Sequence, residues 1–169
     1  MTHRPAPGLP PFDRVVDLHG RDLLRFCAAQ VGRERAEDCF QETMLAALAA
    51  YAGLRDAHAI RAWLFAIAVR KAIDIHRAHA RAPQPVEDLE ALAVAAQSRP
   101  ARDVALWARV RALPEKQRQA VSLRYLADLS HKQIGAIMNT SEAAARRSVF
   151  EGLARLRGDL TNATRRTSP

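Results

Sequence analysis

Arginine side chains supply the most concentrated chemistry in this sequence. A stretch near the C-terminal end carries four of them: Arg146, Arg147, Arg155 and Arg157. A guanidinium group can bind two oxygens of one phosphate at once, so such a cluster favours a nucleic-acid partner. The spacing therefore points to phosphate binding rather than to catalysis.

Two helix starts position these arginines. Ser130 and Gln133 have the spacing of a capping box, and Ser141 is placed to cap a following helix. Only a short polar break separates the two helices, and Gly135 is small enough to let them cross closely. The pattern predicts a helix-turn-helix, whose second helix would enter the major groove of DNA. An ordinary helical hairpin within a bundle is the alternative interpretation.

Other reactive side chains do not form a catalytic or metal-binding set. Cys27, Cys39 and His19 lack the tight spacing of metal ligands, and both cysteines are expected to be buried, reduced thiols. His76 and His79 have no carboxylate cluster beside them, so we expect them on a wet, basic helix face. The sequence has no glycine-rich phosphate loop and no Ser/His/Asp set. We expect no enzyme activity, no metal and no cofactor.

Composition favours a polyanionic partner and a helical fold. The 169 residues carry a formal net charge of +8, and each phosphate that such a chain neutralises releases counterions. Aromatic residues make up only 5% of the chain, which suits helices packed through small side chains. The proline-rich start lacks the apolar segment of a signal peptide, and no apolar run is long enough for a transmembrane helix. A cytoplasmic protein is therefore expected.

Helical periodicity runs through most of the chain, and no strand pattern appears. We predict an all-α fold with two small helical domains, an N-terminal helical bundle and a C-terminal helix-turn-helix domain, joined by a flexible linker. Prolines and a small acidic run mark the linker. The predicted segments are a disordered tail at 1–11, the first domain at 12–81, the linker at 82–100, the second domain at 101–160 and a tail at 161–169.

Three helices are expected in the first domain, at 12–31, 34–51 and 60–81, with a loop at 52–59 and a further short helix at 86–96 in the linker. The second helix has two different faces. Its apolar residues predict a buried stripe of Cys39 or Phe40 with Met44, Leu45, Leu48 and Tyr51. Its polar face carries Asp38, Gln41 and Glu42. An acidic face on so basic a chain suggests contact with a basic partner surface, although an ordinary solvated face would look the same.

The third predicted helix changes character along its length. It begins with apolar residues such as Trp63 and Leu64 and becomes basic at Arg70, Lys71 and Arg77. Such a helix is expected to dock in the domain at one end and to approach phosphate at the other. Trp63 is a candidate core anchor at the apolar end of this helix.

The order of these parts resembles a bacterial extracytoplasmic-function (ECF) sigma factor of the sigma-70 family, a two-domain initiation subunit of RNA polymerase. The segment Ala36-Glu-Asp-Cys-Phe-Gln-Glu-Thr-Met44 is similar to the family's "AED-x-x-Q-E-T-hydrophobic" motif, and Arg61-Ala-Trp-Leu-Phe-Ala-Ile-Ala68 is similar to its "WL-x-x-I-A" helix. Leu113-Pro114, Leu123-Arg124, Gln133-Ile134 and Ser141-Glu142 are similar to its C-terminal domain. The resemblance covers residues 12 to 157.

The resemblance implies partners and sites. Core RNA polymerase would bind through the clamp helices of its largest subunit to Asp38, Gln41 and Glu42. Loop 52–59 and the following helix would read the melted minus-ten element of promoter DNA, where an extruded base exposes edges that a duplex hides. The residues expected there are Arg55, His58, Arg61, Trp63, Arg70, Lys71 and Arg77. The minus-thirty-five element would be read in its major groove by Lys132, Ser141, Arg146, Arg147 and Phe150.

Regulation and specificity are implied less directly. Many members of the family are held inactive by an anti-sigma factor, so such a partner is consistent with the resemblance. The recognition helix opens Ala143-Ala-Ala-Arg-Arg-Ser148, where the family usually has Gly-Thr-Val-(Lys/Arg)-Ser-Arg, and an altered minus-thirty-five preference is expected. The alternative function is an autonomous helix-turn-helix regulator that binds duplex DNA as a dimer. It would leave the acidic face and the basic helix without a role.

Overall fold

Helices account for the regular structure of the described chain. The computed structural model describes residues 8–81 and 101–166, with side chains at 8–81 and 105–158. Within those ranges there are no strands, and the predicted all-α fold is confirmed. The helices are α1 (Phe12–Val31), α2 (Arg33–Ala50), α3 (Ile60–Arg81), α4 (Ala101–Ala112), α5 (Glu115–Tyr125), α6 (His131–Ile137) and α7 (Glu142–Arg166).

Local signals set the boundaries of the first three helices. Gly32 ends α1 with a positive φ of 86°, and its N–H donates to the carbonyl of Ala28. Glycine adopts that backbone region without a steric penalty, so α2 can start at the next residue. The predicted loop at 52–59 is only partly irregular, because it contains 3-10 turns at Tyr51–Gly53 and Ala57–Ala59.

Helices α1 to α3 enclose an apolar core. Phe26 of α1 and Phe65 of α3 are fully buried, and their rings meet edge-on at 5.3 Å between centroids. The Tyr51 hydroxyl donates to the carbonyl of Pro10 at 2.6 Å, and Leu9 beside it is buried. The described end of the predicted disordered tail is therefore docked on this bundle.

Helices α4 to α7 form the second group, in which α6 and α7 are the predicted helix-turn-helix. The capping box of α6 is confirmed, since Ser130 Oγ accepts from the Gln133 N–H and Gln133 Oε1 accepts from the Ser130 N–H. A methyl group at Gly135 would lie 2.9 Å from the Thr140 carbonyl oxygen, which explains the small residue at this crossing. A methyl group at Gly152 of α7 would lie 2.6 Å from Val121 of α5, so these helices also approach closely.

The two groups of helices pack against each other. Helix α1 contacts α4 and α5, and α3 contacts α6. One apolar cluster runs through both groups, from Phe26 and Phe65 to Leu129 and Ile134. The predicted linker at 82–100, including its helix at 86–96, lies outside the described residues. Helix α7 continues to Arg166, past the point where a tail was predicted to begin.

Candidate protein and nucleic-acid interfaces

The polar face of α2 is exposed as expected, but the buried stripe of this helix differs from the prediction. Asp38, Gln41 and Glu42 all lie on the surface. Leu45 and Leu48, which were predicted to be buried, are 67% and 52% exposed. Helix α2 buries Cys39, as predicted, together with the small residues Ala36, Thr43 and Ala47.

This correction enlarges the candidate contact surface. Leu45 follows Asp38 by two helical turns and therefore shares its side of the helix. The exposed face of α2 thus combines two carboxylates, an amide and a large apolar side chain. Exposed apolar side chains surrounded by polar ones are typical of protein-binding surfaces.

One carboxylate of this face is paired within the chain. Lys71 Nζ of α3 donates to Glu42 Oε2 at 2.9 Å, and this hydrogen bond raises the pKa of the Lys71 ammonium group. Lys71 was assigned to single-stranded DNA and Glu42 to the polymerase. The two predicted surfaces therefore meet at this pair.

Helix α3 presents a stripe suited to an unpaired strand. Trp63, Arg70 and Arg77 are seven residues apart, about two turns, so they share one side of the helix. Arg70 and Arg77 are exposed, and Trp63 is half-buried beside Tyr51, with 6.2 Å between ring centroids. The Trp63 ring is thus a core anchor with one part left accessible. Cations spaced along a helix beside an aromatic ring are typical of surfaces that follow a nucleic-acid backbone.

The turns before α3 expose two further candidates. Arg55 and His58 lie on the surface on either side of Asp56. The Asp56 carboxylate accepts from the His58 N–H at 2.9 Å and caps the second 3-10 turn. The side chains of Arg55 and His58 are therefore held at the entrance to α3 by an ordered turn.

Arg61 has a different environment from the other predicted DNA ligands. Its guanidinium donates to the carbonyls of Leu126 and Ala127, which follow α5, and to the Asp22 carboxylate of α1 at 3.0 Å. It also lies 3.2 Å from His19 Nδ1, and burial together with this cation lowers the pKa of His19. Arg61 therefore joins the two groups of helices in this arrangement. A DNA contact by Arg61 requires that junction to open.

The recognition helix presents the remaining candidates together. Ser141 Oγ accepts from the Ala144 N–H at 3.1 Å, so the predicted cap is confirmed. Arg147 and Phe150 are exposed on the same side of α7, with Phe150 69% accessible. Arg146 is exposed beside them and pairs with Glu142 at 3.0 Å. Lys132 is exposed on α6, near the start of the helix-turn-helix.

The remaining histidines and cysteines have structural surroundings. Cys27 and Cys39 are free and buried; the hydrogen bond between their thiols, with burial, raises the pKa of Cys27. His76 is half-buried rather than on a wet face, since its Nε2–H donates to the Gln30 carbonyl at 3.0 Å. Burial lowers its pKa. No group of His, Cys, Asp or Glu among the described residues has the arrangement of a metal site.

Comparison with known proteins accounts for both halves of the chain. The Sigma-70 region 2 family matches residues 15–82, and the Sigma-70, region 4 family matches residues 103–156. The ECF RNA polymerase sigma factor SigM of Bacillus subtilis (strain 168) is 30% identical over 151 residues, which cover 86% of this chain and 92% of SigM. This chain belongs to the ECF sigma factors. It therefore binds core RNA polymerase and directs transcription initiation at promoters.

Two further comparisons agree with the family. The ECF sigma factor SigD of Mycobacterium tuberculosis (strain ATCC 25618 / H37Rv) is 32% identical over 158 residues, which cover 83% of this chain and 73% of SigD. The sigma factor RpoE of Bartonella quintana, solved with the anti-sigma factor NepR, has the same fold, with a TM-score of 0.72 at 21% identity over 89% of this chain and 96% of that one. The alternative of an autonomous regulator is not favoured, because region 2 has no role in it. No helix in the described part of this sigma factor is long and apolar enough to span a bilayer.

Proposed function

We propose that this ECF sigma factor has two domains, at 12–81 and 101–160, each with its own binding function. A linker at 82–100 joins them, and tails lie at 1–11 and 161–169. The first domain binds the clamp helices of the largest polymerase subunit and the melted minus-ten element. The second domain binds the minus-thirty-five element. The chain has no catalytic activity of its own in this proposal, and it acts in the cytoplasm, where the polymerase is found.

The exposed face of α2 is the observation that carries the polymerase contact. Asp38, Gln41, Glu42 and Leu45 lie side by side on the surface of a chain whose net charge is +8. Carboxylates around an apolar centre are suited to a partner surface that is basic and partly apolar. Because Glu42 is already paired with Lys71, we expect substitution of Asp38 to have the larger effect on polymerase binding.

We assign the DNA contacts to two groups of residues, one on α3 and the turns before it and the other on α6 and α7. On the minus-ten side we assign Arg55 and His58 to a flipped base or its backbone, Trp63 to stacking, and Arg70 and Arg77 to phosphates. Lys71 and Arg61 join this set when their present partners are released. On the minus-thirty-five side Lys132 and Ser141 position the helix-turn-helix, and the residues nearest the bases are Arg146, Arg147 and Phe150.

An anti-sigma factor is a further proposed partner. The RpoE protein of Bartonella quintana, whose fold this chain shares, was solved bound to one. The exposed surfaces described above are available to such a protein, and an anti-sigma factor that covered them would block polymerase and DNA together.

A core-binding measurement tests the polymerase assignment. Asp38→Lys should weaken binding to bacterial core polymerase by about tenfold or more, since it puts a cation where the partner is basic. Asp17→Lys makes the same charge change at an exposed position of α1 and serves as the matched control. Circular dichroism of both variants checks that the helices are intact. Equal affinity of the two variants for core polymerase would remove the α2 face from the mechanism.

A further inference from the structure

A cleft of about 460 Å³ lies between the two domains, and none of the residues assigned to polymerase or DNA lines it. The first domain supplies Gln30, Arg35 and His76 to its wall, and the second domain supplies Arg111 and Arg118. This volume lies within the range of small-molecule binding sites. The cleft exists only while the two domains are together, because each of them forms part of the wall.

The charge of the cleft has one sign. Three arginines and a histidine line it, and no carboxylate is among the lining residues of the described chain. The negative charge of Glu115 acts on both Arg118 and His76. Its Oε1, however, already accepts a hydrogen bond from Gln119 Nε2 at 3.1 Å. Like charges gathered at an interface repel one another, so an anion between them would be strongly favoured.

Three residues that line this cleft each contain a buried donor without an acceptor among the described residues: Gln30 Nε2, Arg35 Nη1 and Arg118 Nε. Gln30 is only 4% exposed. Buried polar groups in folded proteins are almost always hydrogen-bonded. Three unpartnered donors from both sides of one cleft therefore point to a ligand that can accept several hydrogen bonds.

The arginines of the second domain are held in place by other contacts. Arg118 Nη1 donates to the carbonyls of Arg111 and Leu113, which fixes the side chain against the turn between α4 and α5 while Nε remains without a partner. The Arg111 guanidinium lies over the Gly32 corner, where a methyl group would be 3.3 Å from its central carbon. A guanidinium that is already oriented loses less conformational freedom when it binds an anion.

We propose that this interdomain cleft binds a phosphate-class oxyanion, which bridges Arg35 of the first domain to Arg118 of the second. A tetrahedral anion offers several acceptor oxygens, and guanidinium groups match their geometry. The bound anion stabilises the arrangement in which the domains are together. Under the function proposed above, it would therefore oppose the separation of the domains on the polymerase.

Calorimetric titration of the full chain with sodium pyrophosphate tests the site. Ionic strength is held constant with sodium chloride, so that general screening is the same throughout. One saturable site is expected, together with a melting temperature that rises with the logarithm of pyrophosphate concentration. Parallel titrations with inorganic phosphate and with ATP distinguish a free anion from a phosphate group carried by a nucleotide.

Variants separate this site from general charge attraction. Arg35→Gln removes one guanidinium, and Gln30→Met removes a donor at nearly constant volume; each should weaken pyrophosphate binding by about tenfold or more. Arg14→Gln is the matched control, because it removes the same charge about 24 Å along α1 from Gln30 and should bind as tightly as the parent. If Arg35→Gln does not fold but Gln30→Met does, the pyrophosphate affinity of Gln30→Met decides between a specific site and general charge attraction.

Opening the junction provides an independent test. Arg61 does not line the cleft, yet Arg61→Met should weaken pyrophosphate binding because it loosens the contact that brings the two walls together. The proposal is overturned if no saturable binding occurs, if Arg14→Gln weakens binding as much as Arg35→Gln, or if Arg61→Met binds with undiminished affinity. None of these results affects the core-binding test of Asp38→Lys, so failure of the cleft and failure of the proposed function are distinguishable.

Discussion

Replacing Arg61 with methionine should loosen the contact between the two domains. Its guanidinium donates across the junction to the carbonyls of Leu126 and Ala127 and, within the first domain, to Asp22. Methionine keeps most of the apolar stem and removes the guanidinium group, including its contact over the Phe65 ring at 5.7 Å from the centroid. The substitution therefore isolates the polar part of the junction.

The magnitude follows from the number and exposure of these bonds. A hydrogen bond from a charged donor contributes about 1.5–3 kcal/mol net, but the side chain of Arg61 is 28% exposed, so we take the lower value for the two carbonyl bonds. The pair with Asp22 lies within the first domain, so its loss affects closed and open molecules alike. The two carbonyl bonds together therefore contribute about 3 kcal/mol, or about 150-fold in the ratio of closed to open molecules.

Fluorescence resonance energy transfer between dyes attached to the two domains measures the ratio of closed to open molecules. Ala50→Cys and Gly158→Cys introduce exposed thiols for labelling, while native Cys27 and Cys39 are buried. The parent should give mainly high transfer, and Arg61→Met should show an added low-transfer population. Arg25→Met is the control, because Arg25 approaches the same Asp22 carboxylate from within α1, at 4.0 Å. An unchanged distribution in Arg61→Met would refute the role of these bonds.

Three further predictions concern stability. Gly152→Ala should destabilise by about 1–3 kcal/mol in urea unfolding, because the added methyl group overlaps α5, whereas Gly158→Ala, which has open space, should be neutral or stabilising. Ser130→Ala should cost about 1 kcal/mol through loss of the α6 capping box, measured in the same way. Burial lowers the pKa values of His19 and His76 below 6.5, so the unfolded chain binds more protons. The free energy of unfolding should therefore fall as pH drops through 6.5, and replacing both histidines should flatten this dependence.

Local signals in the sequence predicted the helices well, since their causes lie within a few residues. Gly32 ends α1 and Ser130 begins α6 through contacts that span at most four residues. The face of α2 was harder to predict. Leucine is more apolar than alanine or threonine, so Leu45 was assigned to the core. The close approach of α1 leaves room only for small side chains such as Ala47, and Leu45 is turned outward.

Long-range polar contacts left no signal in the sequence. The acceptors of Arg61 are main-chain carbonyls 65 and 66 residues away, and every residue has such a carbonyl. Only the tertiary structure could distinguish this arginine from Arg70 or Arg77. The same holds for the cleft, whose arginines are spread from Arg35 to Arg118 and come together only when the domains meet.

The closed arrangement has a consequence for promoter binding. The minus-ten and minus-thirty-five elements are about 25 base pairs apart, which is about 85 Å of duplex at 3.4 Å per pair. In the proposed assignment, the surfaces that read them belong to domains that contact each other directly here. A fully extended segment of the length of 82–100 reaches about 65 Å, and the domains themselves provide the remainder. On that assignment, we expect simultaneous binding of both elements to break the Arg61 junction. The free energy of that junction must be recovered from polymerase and DNA, so its strength sets a threshold for promoter binding.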